Sequence, residues 1–188
     1  AVVASDECYL TLGWEAAPVS VLHPSVCGGS FDGVLAVHSL SKRSNLAGYR
    51  AGFVCGDPGL VAGLLAVRKQ AGMMVPGPVQ AAMTAALEDD SHAEVQRGRY
   101  AARRSALREA FTGAGWTVDH SEAGLYLWVT HPGLDCWSAA EVLAAQGGIL
   151  VAPGSLYGPG GSRHVRVALT ATDERVAAAV SRLAWLRP

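Results

Sequence analysis

The stretch "SLSKRSNLAGYRAGF", residues 39–53, decides how this chain is read. It follows the apolar run GVLAVHS and leads into a second one, AGFVCG, closed by the turn GDPG. Lysine is scarce: Lys42 and Lys69 stand against thirteen arginines. Lys42 comes straight after the apolar run, among serines, with Arg50 eight residues on. The C-terminal end of a buried strand is where open α/β sheets bind ligands. A partly desolvated lysine has a lowered pKa and can act as a Schiff-base nucleophile. Ser39, Ser41 and Arg50 add hydroxyls and a fixed charge suited to a phosphate. On spacing alone, a solvated lysine in a surface loop stays open as a reading, because S-x-S-K is a weak pattern.

Upstream, AVVAS is another short apolar run, and it ends on SDECY. If both runs are parallel strands, Asp6 and Tyr9 face the same crevice as Lys42. An aspartate there can hold a ring nitrogen protonated, and a tyrosine can donate to a phenolate-type oxygen. The plainer alternatives are a turn cap for Asp6 and a core aromatic for Tyr9. Runs of this kind, bounded by turn residues, read as strands covered on both faces by helices. LVAGLLAVRKQ and VPGPVQAAMTAALEDD read as helices, with Pro78 in a first turn. A long helix follows, opened by a capping box, Ser91 to Glu94. It carries Tyr100, Leu107 and Phe111 on one face, and Arg97, Arg103, Arg104 and Arg108 are expected on a solvated face rather than in a nucleic-acid stripe.

After GAG at 113–115 the texture changes. WTVDH, GLYLWVT, ILVAPG and HVRVALT read as strands, with a short helix capped by Ser138 and Glu141 and a closing helix DERVAAAVSRLAWL. The fold class is therefore α/β: part of a mostly parallel, helix-covered sheet, then a smaller α+β unit. The expected division is 1–90, a connecting helix over 91–115, and 116–188.

Bulk properties narrow the class. The 188 residues are 50% apolar, enough for a sizeable core. A net charge of −1 gives no pull toward nucleic acid or anionic membrane. No apolar run reaches membrane-spanning length, and the opening AVVASDECY lacks a basic leader pattern. Four widely spaced cysteines, Cys8, Cys27, Cys55 and Cys136, read as free thiols of a cytoplasmic protein, with no metal site. The start without Met, inside a strand-like run, reads as a piece of a longer protein. His38 and His164 read as structural histidines, Glu7 as solvated or a cap, and Trp116, Trp128, Trp137 and Trp185 as core or interface.

Taken together, D-x-x-Y, then S-x-S-K about thirty residues on, Arg50, SEAGLYLWV and VAPGSLYGPGGSRHVRVALT resemble fold-type I, pyridoxal-phosphate-dependent aminotransferases of the aspartate aminotransferase superfamily. The resemblance covers essentially the whole chain. It implies that Lys42 binds pyridoxal 5'-phosphate covalently and shuttles the substrate proton. Asp6 would pair with the ring nitrogen and Tyr9 with the ring oxygen, while Ser39 and Arg50 hold the phosphate. Arg166 would grip the substrate α-carboxylate, with GSLYGPGGS a mobile loop beside it. Amino-acid and 2-oxoacid substrates, a homodimer and a large-domain fold follow from the same resemblance.

SDECYLTLGW, HSLSKRSNLAGYRAGF and RKQAGMMVPGPVQAAM further resemble the N-succinyldiaminopimelate aminotransferases of bacterial lysine biosynthesis. Against this family the chain looks like a C-terminal half. A phosphate-binding helix N-terminus and a ring-stacking aromatic would lie ahead of Ala1, and exposed strand edges and apolar faces are expected. The fragment by itself would then be inactive. Two other functions remain: a different reaction with the same cofactor, such as a β-lyase, and a non-catalytic aminotransferase-like regulatory domain.

Overall fold

The computed structural model describes residues 1–186. The chain divides into two compact units, Ala1–Arg97 and the residues from Gly98 onward.

In the first unit, three apolar runs form one sheet in the order β1 (Val3–Asp6), β2 (Val34–Ser39), β3 (Gly52–Gly56). β1 and β2 are parallel, with Asp6 opposite Val37. A short helix, α1 (Pro24–Cys27), lies in the crossover between them. β3 runs antiparallel to β2, pairing Ser39 with Gly52. The reversal is made by α2 (Leu40–Arg43) and a single 3-10 turn, Ala47–Tyr49, too little chain for the crossover that a parallel return needs. Asp57 caps α3 (Pro58–Gln70), accepting from the N–H groups of Gly59 and Leu60. α4 (Gly77–Glu88) has Pro78 in its first turn.

α5 (Ser91–Gly113) contains the division between the units. The expected capping box is not what starts it. The Asp90 carbonyl accepts from the N–H groups of Ala93 and Glu94, and Asp89 accepts both the N–H and the hydroxyl of Ser91. With the Asp89 carboxylate taking the Ser91 N–H, Ser91 becomes the first helical residue rather than the cap. The solvated arginine face holds at Arg97 and Arg108, which are exposed, and is corrected at Arg104. Arg104 shares a face with Tyr100 and Leu107 and is 9% exposed; its Nη2 donates to the Ser121 carbonyl at 2.9 Å. Arg103 pairs with Asp173, and Arg97 donates to the Gly13 carbonyl.

The second unit is built on an antiparallel sheet in the order β4 (Thr117–Asp119), β5 (Tyr126–Thr130), β7 (His164–Ala168), β6 (Ala152–Pro153). α6 (Cys136–Ala145) begins two residues before Ser138, because the Asp135 carboxylate takes the N–H groups of Trp137 and Ser138. α7 (Asp173–Leu183) is capped by Thr172. Leu127 and Val129 of β5 and Val165 and Val167 of β7 are buried with Phe111, Leu143 and Leu183. The alternate residues of the same strands, Tyr126, Trp128, His164 and Arg166, form the other face. All four cysteines are free thiols. Among the described residues no helix is long and apolar enough to cross a membrane.

Candidate active site

Two clusters contain the candidate residues, one in each unit. The first lies where the parallel pair β1–β2 ends, so that the segments leaving Asp6 and Ser39 emerge side by side. Asp6 closes β1 and its Oδ1 accepts from the Cys8 N–H at 3.1 Å. Ser39 closes β2 and caps α2. Its hydroxyl accepts from the Ser41 N–H at 3.1 Å and donates to the Ser41 hydroxyl at 2.9 Å. Lys42 sits on α2, half-buried. The Cys8 thiol senses both charges. Burial pushes its pKa up, a hydrogen bond to Asp6 and the Asp6 charge push it further, and the Lys42 ammonium pulls it down.

Tyr9 lies half-buried in the turn after β1, its carbonyl accepting from the Leu12 N–H. Arg50 is exposed. Its Nη1 donates to the Ala47 carbonyl at 2.9 Å, and its backbone is left-handed at φ 54°. Asn45, in the same loop, has φ 53°. Two non-glycine residues in this region, just after a candidate catalytic lysine, mark a loop held in a costly shape by its surroundings.

Glu7 is neither solvated nor a cap. At 7% exposure, its Oε1 accepts from the Val21 N–H at 2.6 Å and its Oε2 lies 3.5 Å from His38 Nε2. His38 in turn stacks on Phe53, ring centroids 4.8 Å apart. With Asp6 exposed at the strand end, its neighbour Glu7 turns inward, where a carboxylate needs partners.

The second cluster covers the polar face of the second unit's sheet. Arg166, at the middle of β7, pairs with Trp128 on one side and Ala152 on the other. Its guanidinium carbon lies 4.2 Å from the ring centroid of Tyr126 and 5.0 Å from that of Tyr157. Arg166 Nε is buried without a hydrogen-bond partner. His164 stacks on Trp128, centroids 5.1 Å apart and 8° from coplanar, and its Nε2 lies 3.0 Å from Asp119. Trp128 is thus part of this cluster rather than core, while Trp116 is core.

Asp6, Ser39 and Lys42 are brought together at one end of the first sheet, and Arg166 belongs to the second cluster. Sequence reading misplaced Glu7 at the surface and passed over Tyr126 and Tyr157. The alternation in GLYLWV carried the signal for Tyr126, since it places Tyr126 and Trp128 opposite the buried Leu127 and Val129. Nothing local in SDECY distinguishes the buried acid from the exposed one.

The chain is 70% identical over 182 residues to a probable aminotransferase of Mycobacterium tuberculosis, covering 97% of this chain and 43% of that protein. It is 63% identical over 183 residues to a 4-dedimethylamino-4-oxo-anhydrotetracycline transaminase of Streptomyces rimosus, covering 97% and 50%. Among solved structures, an aminotransferase from Neisseria meningitidis superposes with a TM-score of 0.87 at 32% identity, over 98% of this chain and 48% of that one. The chain spans about half the length of the curated relatives that it matches. The family model for aminotransferase class I and II matches residues 1–183, and the chain belongs to that family.

Proposed function

We propose that this chain carries the covalent lysine and the carboxylate-binding arginine of an aminotransferase that moves an amino group between an amino acid and 2-oxoglutarate. The observation that carries the reading is the placement of Asp6, Ser39 and Lys42 where the parallel pair β1–β2 ends. Members of the family use pyridoxal phosphate, which supplies the electron sink for chemistry at the substrate Cα. The donor set here fits that group. A carboxylate suits a protonated ring nitrogen, an amine suits an aldehyde, and the exposed Arg50 guanidinium suits a phosphate. Lys42 would hold the cofactor and move the proton at the substrate Cα. Asp6 would accept from the ring N–H, Tyr9 would donate to the ring oxygen, and Ser39 and Arg50 would bind the phosphate. Arg166 takes the substrate α-carboxylate through two parallel N–H donors. The intact protein works in the cytoplasm as a homodimer.

For the amino acceptor we favour the oxo acid of N-succinyl-LL-2,6-diaminopimelate. Support comes from the sequence resemblance and from LL-diaminopimelate aminotransferases such as that of Nostoc, 32% identical over 185 residues. A second reading, amination of a polycyclic ketone, has its own observation: the 63% identity to a transaminase named for 4-dedimethylamino-4-oxo-anhydrotetracycline.

Borohydride reduction of the intact protein with cofactor, followed by peptide mapping, should label Lys42; label on Lys69 sinks the assignment. Glutamate-dependent amination of the two acceptors, compared by kcat/KM, separates the substrate readings. Preference for the tetracycline ketone replaces the first reading by the second.

A further inference from the structure

Arg166 is an arginine without an acid. Among the described residues no carboxylate pairs with it, and of its nitrogens Nε is buried without a hydrogen-bond partner. A guanidinium on a sheet face is ordinarily oriented by hydrogen bonds or by an ion pair. Here the neighbours are ring faces, Tyr126 at 4.2 Å and Tyr157 at 5.0 Å. Both distances lie within the range in which a ring's negative face attracts a cation.

We propose that Tyr126 and Tyr157 are positioning residues that fix the plane of the Arg166 guanidinium through their ring faces, leaving its hydrogen-bonding capacity free for a carboxylate ligand. The inference rests on the proposed role of Arg166 and deepens it. An acidic partner would orient the arginine as well, but it would compete with a substrate carboxylate for the same N–H groups. Aromatic faces orient without competing. A carboxylate arriving at Arg166 then meets donors that need not first be released from another anion.

The two rings are held from different directions. Tyr126 is on β5, two residues from Trp128, which faces Arg166 directly across the ladder. Tyr157 ends the 3-10 turn Gly154–Tyr157 and is 54% exposed. It meets the edge of Trp128, centroids 6.1 Å apart at 73°. Trp128 is itself fixed by its stack on His164, and His164 by Asp119. The exposed ring is therefore anchored to the sheet through Trp128. Planar side chains with few rotatable bonds suit this task, because little entropy is lost in holding them.

The test uses the intact protein and pairs each leucine variant with a phenylalanine one. Tyr126→Leu and Tyr157→Leu remove a ring face, whereas Tyr126→Phe and Tyr157→Phe keep it and remove only the hydroxyl. Each leucine variant should raise KM for the amino donor and the oxo acid together, by about three- to thirtyfold, with kcat little changed, and phenylalanine should restore most of that affinity. The Arg166 Nε–H resonance, shifted by the ring currents, should move in the leucine variants and stay in the phenylalanine ones, which reports the geometry without any turnover. Unchanged resonance and unchanged KM in the leucine variants overturn the proposal, as does an equal loss in the phenylalanine variants, which would assign the effect to the hydroxyls. Arg166→Lys is the control for the underlying reading. If it leaves both KM values unchanged, the role of Arg166 in binding fails and the proposal falls with it. If it raises them while the leucine variants do not, only the positioning role fails.

Discussion

Phe111, Leu127, Val129, Leu143, Val165 and Leu183 of the second unit are sealed from solvent, whereas Leu64, Leu65, Val67, Met73 and Met74 of the first, equally apolar in sequence, are exposed. The second unit folds one face of its sheet onto helices and closes its own core. The first has a three-stranded sheet whose residues Val3, Phe53 and Val54 remain exposed. An open cleft of about 600 Å³ lies between β3, α3 and α4, lined by Phe53, Leu64, Met73 and Met83 among others. Apolar texture in a sequence shows which surfaces avoid water, not whether this stretch of chain covers them. Relatives are about twice as long as this chain, and the unit left open is the one that carries Lys42.

The contrast is broken most directly at its closed end. Phe111→Ala removes a fully buried ring from α5 and should cost about 3–5 kcal/mol. Urea unfolding followed by the fluorescence of Trp116, which meets Phe111 edge-on at 5.9 Å, reads this out. A cost below about 1 kcal/mol, the range of surface changes, would mean that the second unit is as open as the first.

A smaller effect is expected at Gly154. A Cβ there would come within 2.6 Å of the His164 carbonyl and 2.7 Å of Trp128 Cη2, and would also strike the Gly161 carbonyl. Gly154→Ala should destabilise the second unit by about 1–3 kcal/mol through overpacking. It should also disturb the near-ultraviolet signal of Trp128. An alanine tolerated without either change would show that the loop carrying Tyr157 is not held against the sheet.

These two positions also show what the sequence could and could not tell. Phe111 was legible, because its spacing from Tyr100 and Leu107 defines one helix face. The placement of Lys42 and Asp6 at one end of a sheet was legible too, since buried strands followed by polar clusters have few other arrangements. Arg104 was not legible: a charge run looks solvated until a carbonyl such as that of Ser121 is known to wait for it. The helix starts at Ser91 and Cys136 were displaced because neighbouring aspartates compete as caps, a contest that local spacing does not decide. The direction of β3 was left open for a different reason. Buried parallel and antiparallel strands share one apolar texture, and only the length of the connection separates them.

The caps give one comparison across the units. Asp57 is held below the ordinary carboxylate range by hydrogen bonds from the N–H groups of Gly33, Leu60 and Gly59. Asp135 is likewise lowered by the N–H and hydroxyl of Ser138 and the N–H of Trp137, helped by Arg163. A carboxyl depressed in the folded state contributes stability above its unfolded pKa, and that contribution is lost as pH falls through the folded value. Asp57→Asn and Asp135→Asn should each flatten the acid side of the stability profile, below about pH 4. Asp57 should have the larger effect, because its Oδ2 also takes the Gly33 N–H at 2.8 Å and so ties α3 to the start of β2. Faster amide exchange at Leu60 and Gly33 in Asp57→Asn checks the tie. Equal effects at the two caps would assign Asp57 a capping role alone.

The smallest effect is the most informative about the open unit. Val67 lies on α3 and is 66% exposed, and threonine has nearly its shape and helix propensity. Val67→Thr should therefore change stability by no more than about 0.5 kcal/mol. The same change removes apolar surface from the exposed side of the unit, so binding of a hydrophobic dye should fall while the unfolding midpoint stays in place. If the midpoint drops instead, Val67 is buried against something in solution, and the drop should then vary with protein concentration, as linkage to self-association requires. A drop independent of concentration would place the residue inside the unit's own core and end the contrast between the two units.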